Sequence, residues 1–197
     1  MSAIFEGDVV GVINRRLLFD AGWIRLYERV VKIRGNAIKW VYCSRKVRGD
    51  LDTPDAVVVV PFVRTDDGTR LLVTKEYRVP IDGYEFGLPS GLIDSGELVD
   101  DAAARELEEE TGYRVERFLE QSPSRLVSSA GLSDETFQYQ FVEAVKGSGQ
   151  RLELAEEIEV LLLSIAELRD LFNSQSNLSG RLWPLCHGYL SCGGFPI

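Results

Sequence analysis

The sequence contains one histidine, His187, and three cysteines, Cys43, Cys186 and Cys192. That scarcity excludes several chemistries. No two cysteines have the spacing of a zinc-binding pair, and their odd number reads as reduced thiols rather than as a disulfide framework. A lone histidine with no evident partner nearby in sequence reads as a structural or surface residue. Long apolar runs are missing too: none approaches the ~20 residues of a membrane-spanning helix. Met1-Ser2-Ala3-Ile4-Phe5-Glu6 lacks the basic and apolar regions of a secretory signal. A cytoplasmic protein without a membrane partner is expected. Basic charge is short as well. Lys and Arg total 22 against 31 Asp and Glu, a net charge of −9. This argues against a general nucleic-acid surface. A small anionic substrate would need local Arg or Lys, together with a metal ion, to offset the excess.

What is present suits one domain with a small appendage at most. The chain has 197 residues, 45% of them hydrophobic, enough for a sizeable core. Residues 1–50 are rich in β-formers. Trp23 to Val30 and Ala37 to Tyr42 alternate, with Arg34-Gly35-Asn36 as a turn between them, which predicts a small antiparallel sheet. Asp50 to Asp55 is a polar link. Ala56 to Val63 is a continuous apolar run, fit for a strand buried on both faces. Asp66-Asp67-Gly68 is a hairpin signal, and Leu71 to Tyr77 is the returning strand. Further strands are expected at Thr136 to Val145 and at Glu157 to Ser164. Ser164-Ile165-Ala166-Glu167 is a capping box that opens a helix through about Asn173. Leu182 to Leu190 reads as a last helix. The order of elements predicts a mixed α+β fold, a mixed sheet sandwiched between helices. Residues 51–197 form the main domain behind the N-terminal sheet.

The most informative stretch runs from Gly91 to Tyr113. A glycine loop carries Glu97. A helix-forming run over Ala102 to Thr111 follows, and Gly112 suits its C-cap. On such a helix Glu106 and Glu110 are neighbours, and Glu109 lies beside Glu106. Arg105 is one turn before Glu109 and can pair with it. Ala103 and Leu107 form a separate apolar stripe that can seat the helix on a core. Clustered carboxylates repel one another unless a cation sits among them, and hard oxygen ligands select Mg²⁺ or Mn²⁺. The same pattern also describes a solvated acidic helix end.

This stretch resembles the Nudix box, Gly-x5-Glu-x7-Arg-Glu-U-x-Glu-Glu-x-Gly-U, with U aliphatic. Gly91, Glu97, Arg105, Glu106, Leu107, Glu109, Glu110 and Gly112 match, and Tyr113 departs from the aliphatic last position. The resemblance implies the Nudix fold and Mg²⁺-dependent hydrolysis of a nucleoside diphosphate linked to another group. Three flanking runs are similar to the ADP-ribose pyrophosphatase branch: Glu76-Tyr77-Arg78, Glu85 to Gly91, and Ser129 to Glu135. In that branch the N-terminal sheet forms a homodimer and holds the adenosine end of the substrate. Two positions depart from the branch pattern. Ala130 stands where the branch has proline, and Gly87 is an extra residue before Leu88.

By the same resemblance, Glu106, Glu109 and Glu110 would ligate the metal together with the carbonyl of Ser90. Glu97 would support the loop or a metal-bound water, and Arg105 would orient Glu109. Arg78 would grip the diphosphate or terminal ribose, and Glu85 would contact ribose hydroxyls; a strand-end charge and a surface salt bridge are their ordinary alternatives. The general base would come from the acidic run Leu154 to Glu159, with Glu157 first and Glu156 second, against a solvated loop. Trp40 and Tyr42 are candidates to stack on adenine, or to pack in the core or a dimer. The expected products from ADP-ribose are AMP and ribose 5-phosphate. Two alternatives stand beside this reading: a Nudix hydrolase of a dinucleoside polyphosphate or nucleotide cofactor, and a non-catalytic nucleotide sensor.

Overall fold

A computed structural model of the chain describes residues 11–46 and 53–195. Met1 to Glu6 and the first part of the polar link, Asp50 to Asp52, lie outside the described residues. In chain order the elements are β1 (Gly11–Asp20), β2 (Arg25–Ile33), β3 (Asn36–Ser44), β4 (Ala56–Thr65), β5 (Gly68–Arg78), a 3-10 turn (Val79–Ile81), β6 (Gly83–Gly87), β7 (Ser90–Leu92), α1 (Val99–Thr111), β8 (Tyr113–Gln121), β9 (Leu126–Val127), β10 (Thr136–Lys146), β11 (Ile158–Leu163), α2 (Ile165–Asn173), β12 (Asn177–Leu178) and α3 (Leu182–Cys192). They fall into two compact units, Met1–Thr53 with Arg125–Thr136, and Pro54–Ser124 with Phe137–Ile197.

The first unit is an antiparallel three-stranded sheet, β1-β2-β3. Its β2–β3 ladder runs without a break from Arg25↔Ser44 to Ile33↔Asn36, as the alternation and turn signal predict. The segment 125–136 fastens to β3 within this unit. The Cys43 amide donates to the Leu132 carbonyl at 2.8 Å, and the Ser44 hydroxyl donates to Asp134 at 3.0 Å.

The second unit is built around β4. This strand runs parallel to β10 and antiparallel to β5 and β7. The path of the mixed sheet is β12-β6-β5-β4-β10-β8, and β11 pairs with β5. Alternation divides β4 between two layers. Val57, Val59 and Val63 pack with Ala102, Ala103 and Leu107 of α1. Phe62, on the opposite face, meets Tyr189 of α3 edge-on at 5.7 Å. Such a doubly covered strand is what a continuous apolar run encodes. Each fully buried Val or Leu contributes roughly 1.5–3 kcal/mol relative to exposure, so a one-residue slip of β4 would forfeit several side chains at once.

Helix α1 carries Asp100 and Asp101 in its first turn, where negative charge complements the helix dipole. It ends at Gly112, which has φ +70° and donates its amide to the Glu108 carbonyl. A Cβ there would lie 2.6 Å from the Gly149 carbonyl carbon, so both backbone conformation and space demand glycine. Helix α2 opens with the expected capping box, Ser164 and Glu167 bonding reciprocally. Among the described residues, no helix is long and apolar enough to cross a membrane.

Candidate active site

Three local decisions build the site. First, the Ala103 and Leu107 stripe, both fully buried, seats α1 on the sheet, with Glu110 buried beside it and Glu106 and Glu109 on the adjoining side. Second, β7 pairs with β4 at Val57↔Gly91 and Val58↔Ser90, which lays the loop backbone beside those acids. Third, β11 pairs with β5 from Ile158↔Glu76, which delivers the preceding acidic loop to the same place. The result is a cavity of about 430 Å³ lined by Ser90, Gly91, Leu92, Asp94, Arg105, Glu106, Glu109, Glu110, Arg151, Glu153 and Glu156.

The electrostatics are those of crowded carboxylates. Glu110 is buried, and the Ser90 amide donates to it at 3.1 Å. Burial first, and then the charge of Glu106, push its carboxyl up to about 9. Glu106 is also raised, by burial with Glu109 and Glu156 adding, while Arg105 opposes. Arg105 grips Glu97 with two bonds of 2.9 Å, Glu106 with one of 2.7 Å, and the Leu92 carbonyl with one of 3.0 Å. Its contact with Glu109, 3.4 Å, is the longest of the set. Arg105 therefore ties the glycine loop to Glu106 more than it orients Glu109. Glu97 accepts the Asp94 amide at 2.9 Å and is held below the usual carboxylate range by Arg105. It supports the loop rather than lining the cavity.

The structure separates the two candidate bases. Glu156 lines the cavity, and its carboxylate accepts the Glu153 amide at 2.8 Å. Glu157 turns away, accepting the Tyr84 hydroxyl at 2.7 Å. Of the two candidates expected from sequence, Glu157 first and Glu156 second, Glu156 is the one that lines the cavity. Arg78 and Glu85 sit on paired strands and meet each other at 3.5 Å, with Arg78 closer to Glu76 at 2.8 Å. Sequence reasoning gave no role to Glu76, Glu153, Arg151 or Tyr84. For Glu76 a signal existed, since period-two spacing puts it on the same strand face as Arg78. Burial raises its carboxyl, Arg78 opposes, and Glu156 and Glu85 add to the rise. In the first unit, Trp40, Tyr42 and Ala130 line a separate cavity of about 380 Å³ with Arg29 and Asp134. His187 is exposed and stacks on Trp183, and the three cysteines are free.

The donor set has the chemistry for a hard divalent cation: carboxylate oxygens, two of them on groups raised by burial and by neighbouring carboxylates, with no thiolate or imidazole in the lining. Among the described residues, no three acids, histidines or cysteines already converge into a closed cage.

Residues 53–181 match the model of the NUDIX domain, more than half of the chain. The chain belongs to the Nudix family. Similar Nudix proteins include the ADP-ribose pyrophosphatase of Bacillus subtilis (strain 168), 29% identical over 166 residues, 83% of this chain and 83% of that protein. The ADP-ribose pyrophosphatase of Saccharomyces cerevisiae is 34% identical over 108 residues, 53% of this chain and 46% of that one. The chain thus matches less than half of the yeast enzyme's length. A solved structure described as the crystal structure of an ADP compounds hydrolase superposes with a TM-score of 0.70 at 21% identity, covering 96% of this chain and 98% of that one. That likeness shows the Nudix fold, as the box predicted. The protein is a Nudix hydrolase, and hydrolases of this family generally use a divalent metal.

Proposed function

We propose that this Nudix hydrolase cleaves the diphosphate linkage of ADP-ribose or a related nucleoside diphosphate sugar, releasing AMP or another nucleoside monophosphate and a sugar phosphate. The observation that carries the reading is the convergence of the helix acids Glu106, Glu109 and Glu110 and the loop acid Glu156 on one cavity. The names of the Bacillus and yeast relatives support the substrate class. The lining holds six acids against two arginines, so a diphosphate would be repelled without added positive charge. Mg²⁺, or Mn²⁺ in its place, would be held by Glu106, Glu109, Glu110 and the Ser90 carbonyl. When bound, it offsets phosphate charge and acidifies a water.

The remaining roles fall to the chain's own groups. Glu156, facing the helix acids, takes the proton as water attacks phosphorus. Arg105 anchors Glu106 against the loop, and Glu97 anchors Arg105. Arg78 exchanges its longer contact with Glu85 for a phosphate oxygen, which leaves Glu85 to accept from ribose hydroxyls. Exposed Phe19 and Trp23 on the N-terminal unit support a homodimer formed through that sheet.

The test is product release from ADP-ribose, ADP-glucose, GDP-mannose, NADH and diadenosine polyphosphates, with Mg²⁺ and with chelator, read by mass spectrometry. Metal-dependent AMP and ribose 5-phosphate from ADP-ribose is the expected result. Preference for a dinucleoside polyphosphate or nucleotide cofactor would favour the second reading, for which Ala130 and Gly87 speak. No turnover of any compound would overturn the hydrolytic assignment in favour of a sensor.

A further inference from the structure

We infer that Gln150 is a positioning residue, whose side-chain amide sets where Glu156 stands relative to the acids of α1. The inference rests on the reading of Glu156 as the proton acceptor. The Gln150 Nε2 donates to two carbonyls at once, Glu110 at 2.8 Å and Ile158 at 3.0 Å. The first belongs to the last turn of the helix that carries the acid cluster. The second belongs to the first residue of β11, two positions after Glu156. One amide nitrogen therefore spans the two parts of the site.

The surroundings explain why this contact matters. The last carbonyls of a helix have no partner within it. Here they are used to stitch down the loop after β10. The Gly147 amide donates to Gly112 at 2.8 Å, and the Arg151 amide donates to Glu109 at 2.8 Å. Beyond Arg151 the loop leaves the helix, and Leu154 at its tip is fully exposed. Within the loop, the Glu156 amide donates to the Glu153 carbonyl at 3.1 Å, and the Glu156 carboxylate accepts the Glu153 amide. Those bonds orient Glu156 in the loop but do not place the loop on the helix. The Arg151 amide holds the loop's near end on α1, and Gln150 brings the far end to the same helix turn, by closing the loop's two ends against one carbonyl of α1. Its two N–H groups suit two acceptors. Methionine has the length without the donors, and glutamate would set an acceptor against two carbonyls. Gln150 is not in the cavity lining, so it acts through Glu156 rather than on substrate.

The experiment compares wild type, Gln150→Met and Gln150→Glu in four measurements: kcat and KM on the best compound of the panel, Mg²⁺ affinity by calorimetry, melting temperature, and hydrogen exchange over residues 151–158. A displacement of about 1 Å at a reacting group costs on the order of 10²-fold in rate. Gln150→Met is expected to lower kcat by about that factor, with KM and Mg²⁺ affinity within about twofold and faster exchange over 151–158. Gln150→Glu is expected to be slower still, although it fills the same space. Unchanged kcat in Gln150→Met, or equal activity of the two variants, would overturn the proposal. So would a parallel loss of Mg²⁺ affinity, or failure of either variant to fold, because Gln150 would then be a structural residue. If the wild type turns over no compound, the hydrolytic reading fails by itself. The exchange data then decide alone whether Gln150 holds the loop.

Discussion

The carboxylate of Glu106 occupies the space that a Cβ on residue 91 would need. The loop cannot retreat, because Gly91 is paired with fully buried Val57 across the β4–β7 ladder. Gly91→Ala must therefore push Glu106 off the loop. The expected result is a kcat lower by on the order of 10²-fold, with weaker Mg²⁺ binding and an intact circular dichroism spectrum. Calorimetric titration with Mg²⁺ is the direct check, and an unchanged affinity would remove Glu106 from the metal site.

Glu109 is the least restrained of the helix acids, with a 38% exposed side chain and one long contact to Arg105. Glu109→Gln is expected to abolish turnover while stability stays within about 0.5 kcal/mol, as for other surface changes. Urea unfolding beside a turnover assay tests both halves. Wild-type-like activity would sink the metal assignment, and a large stability loss would make Glu109 structural.

Glu156 and Glu157 are adjacent yet face different partners, so their variants should separate. Glu156→Gln is expected to lower kcat by about 10²–10⁴-fold. Glu157→Gln should cost far less, because its amide oxygen still accepts the Tyr84 hydroxyl. Equal losses in Glu156→Gln and Glu157→Gln would show that proton transfer is not localised on Glu156.

Far from the site, buried Glu143 is held by Arg64 at 2.6 Å and Arg117 at 2.6 Å. Arg64 first, and Arg117 after it, keep its carboxyl below the ordinary value of 4.5. A carboxylate with a depressed folded pKa binds more protons when unfolded, so its contribution is present above 4.5 and is lost as pH falls through the folded value. Glu143→Gln should therefore be less stable than wild type near pH 7, and the gap should close below about pH 4.5. Urea midpoints of both proteins between pH 7 and 3 give the comparison. A gap independent of pH would mean that packing, not charge, is what the substitution removes.

Elements with one dominant local signal were legible in the sequence. The bounds of α2 follow from its capping box, β4 from its apolar run, and the β2–β3 hairpin from alternation around Arg34-Gly35. Strand β8 was not legible. Its outer positions Arg114, Glu116, Arg117 and Glu120 are exposed, and an edge strand buries too little to show an apolar period. Strands β6, β7 and β12 are too short for a period to emerge, and exist because neighbours pair with them. In the site, Glu106, Glu109 and Glu110 were readable because helix geometry is local. For Glu76 only the strand face shared with Arg78 was readable; its nearness to Glu110 and Glu156 was not, because those acids come from α1 and the loop before β11.

The sequence by itself determined the acid spacing on α1, the need for glycine after it, and the apolar stripe that seats the helix on the core, since each depends on contacts within a few residues. Tertiary structure alone decided that Glu156 rather than Glu157 faces the cavity, that Arg105 spends its bonds on Glu97 and Glu106, and that Gln150 reaches both α1 and β11. The physical reason is register. Pairing Ile158 with Glu76 sets which way the preceding side chains point, and no local pattern encodes a pairing between residues so far apart along the chain.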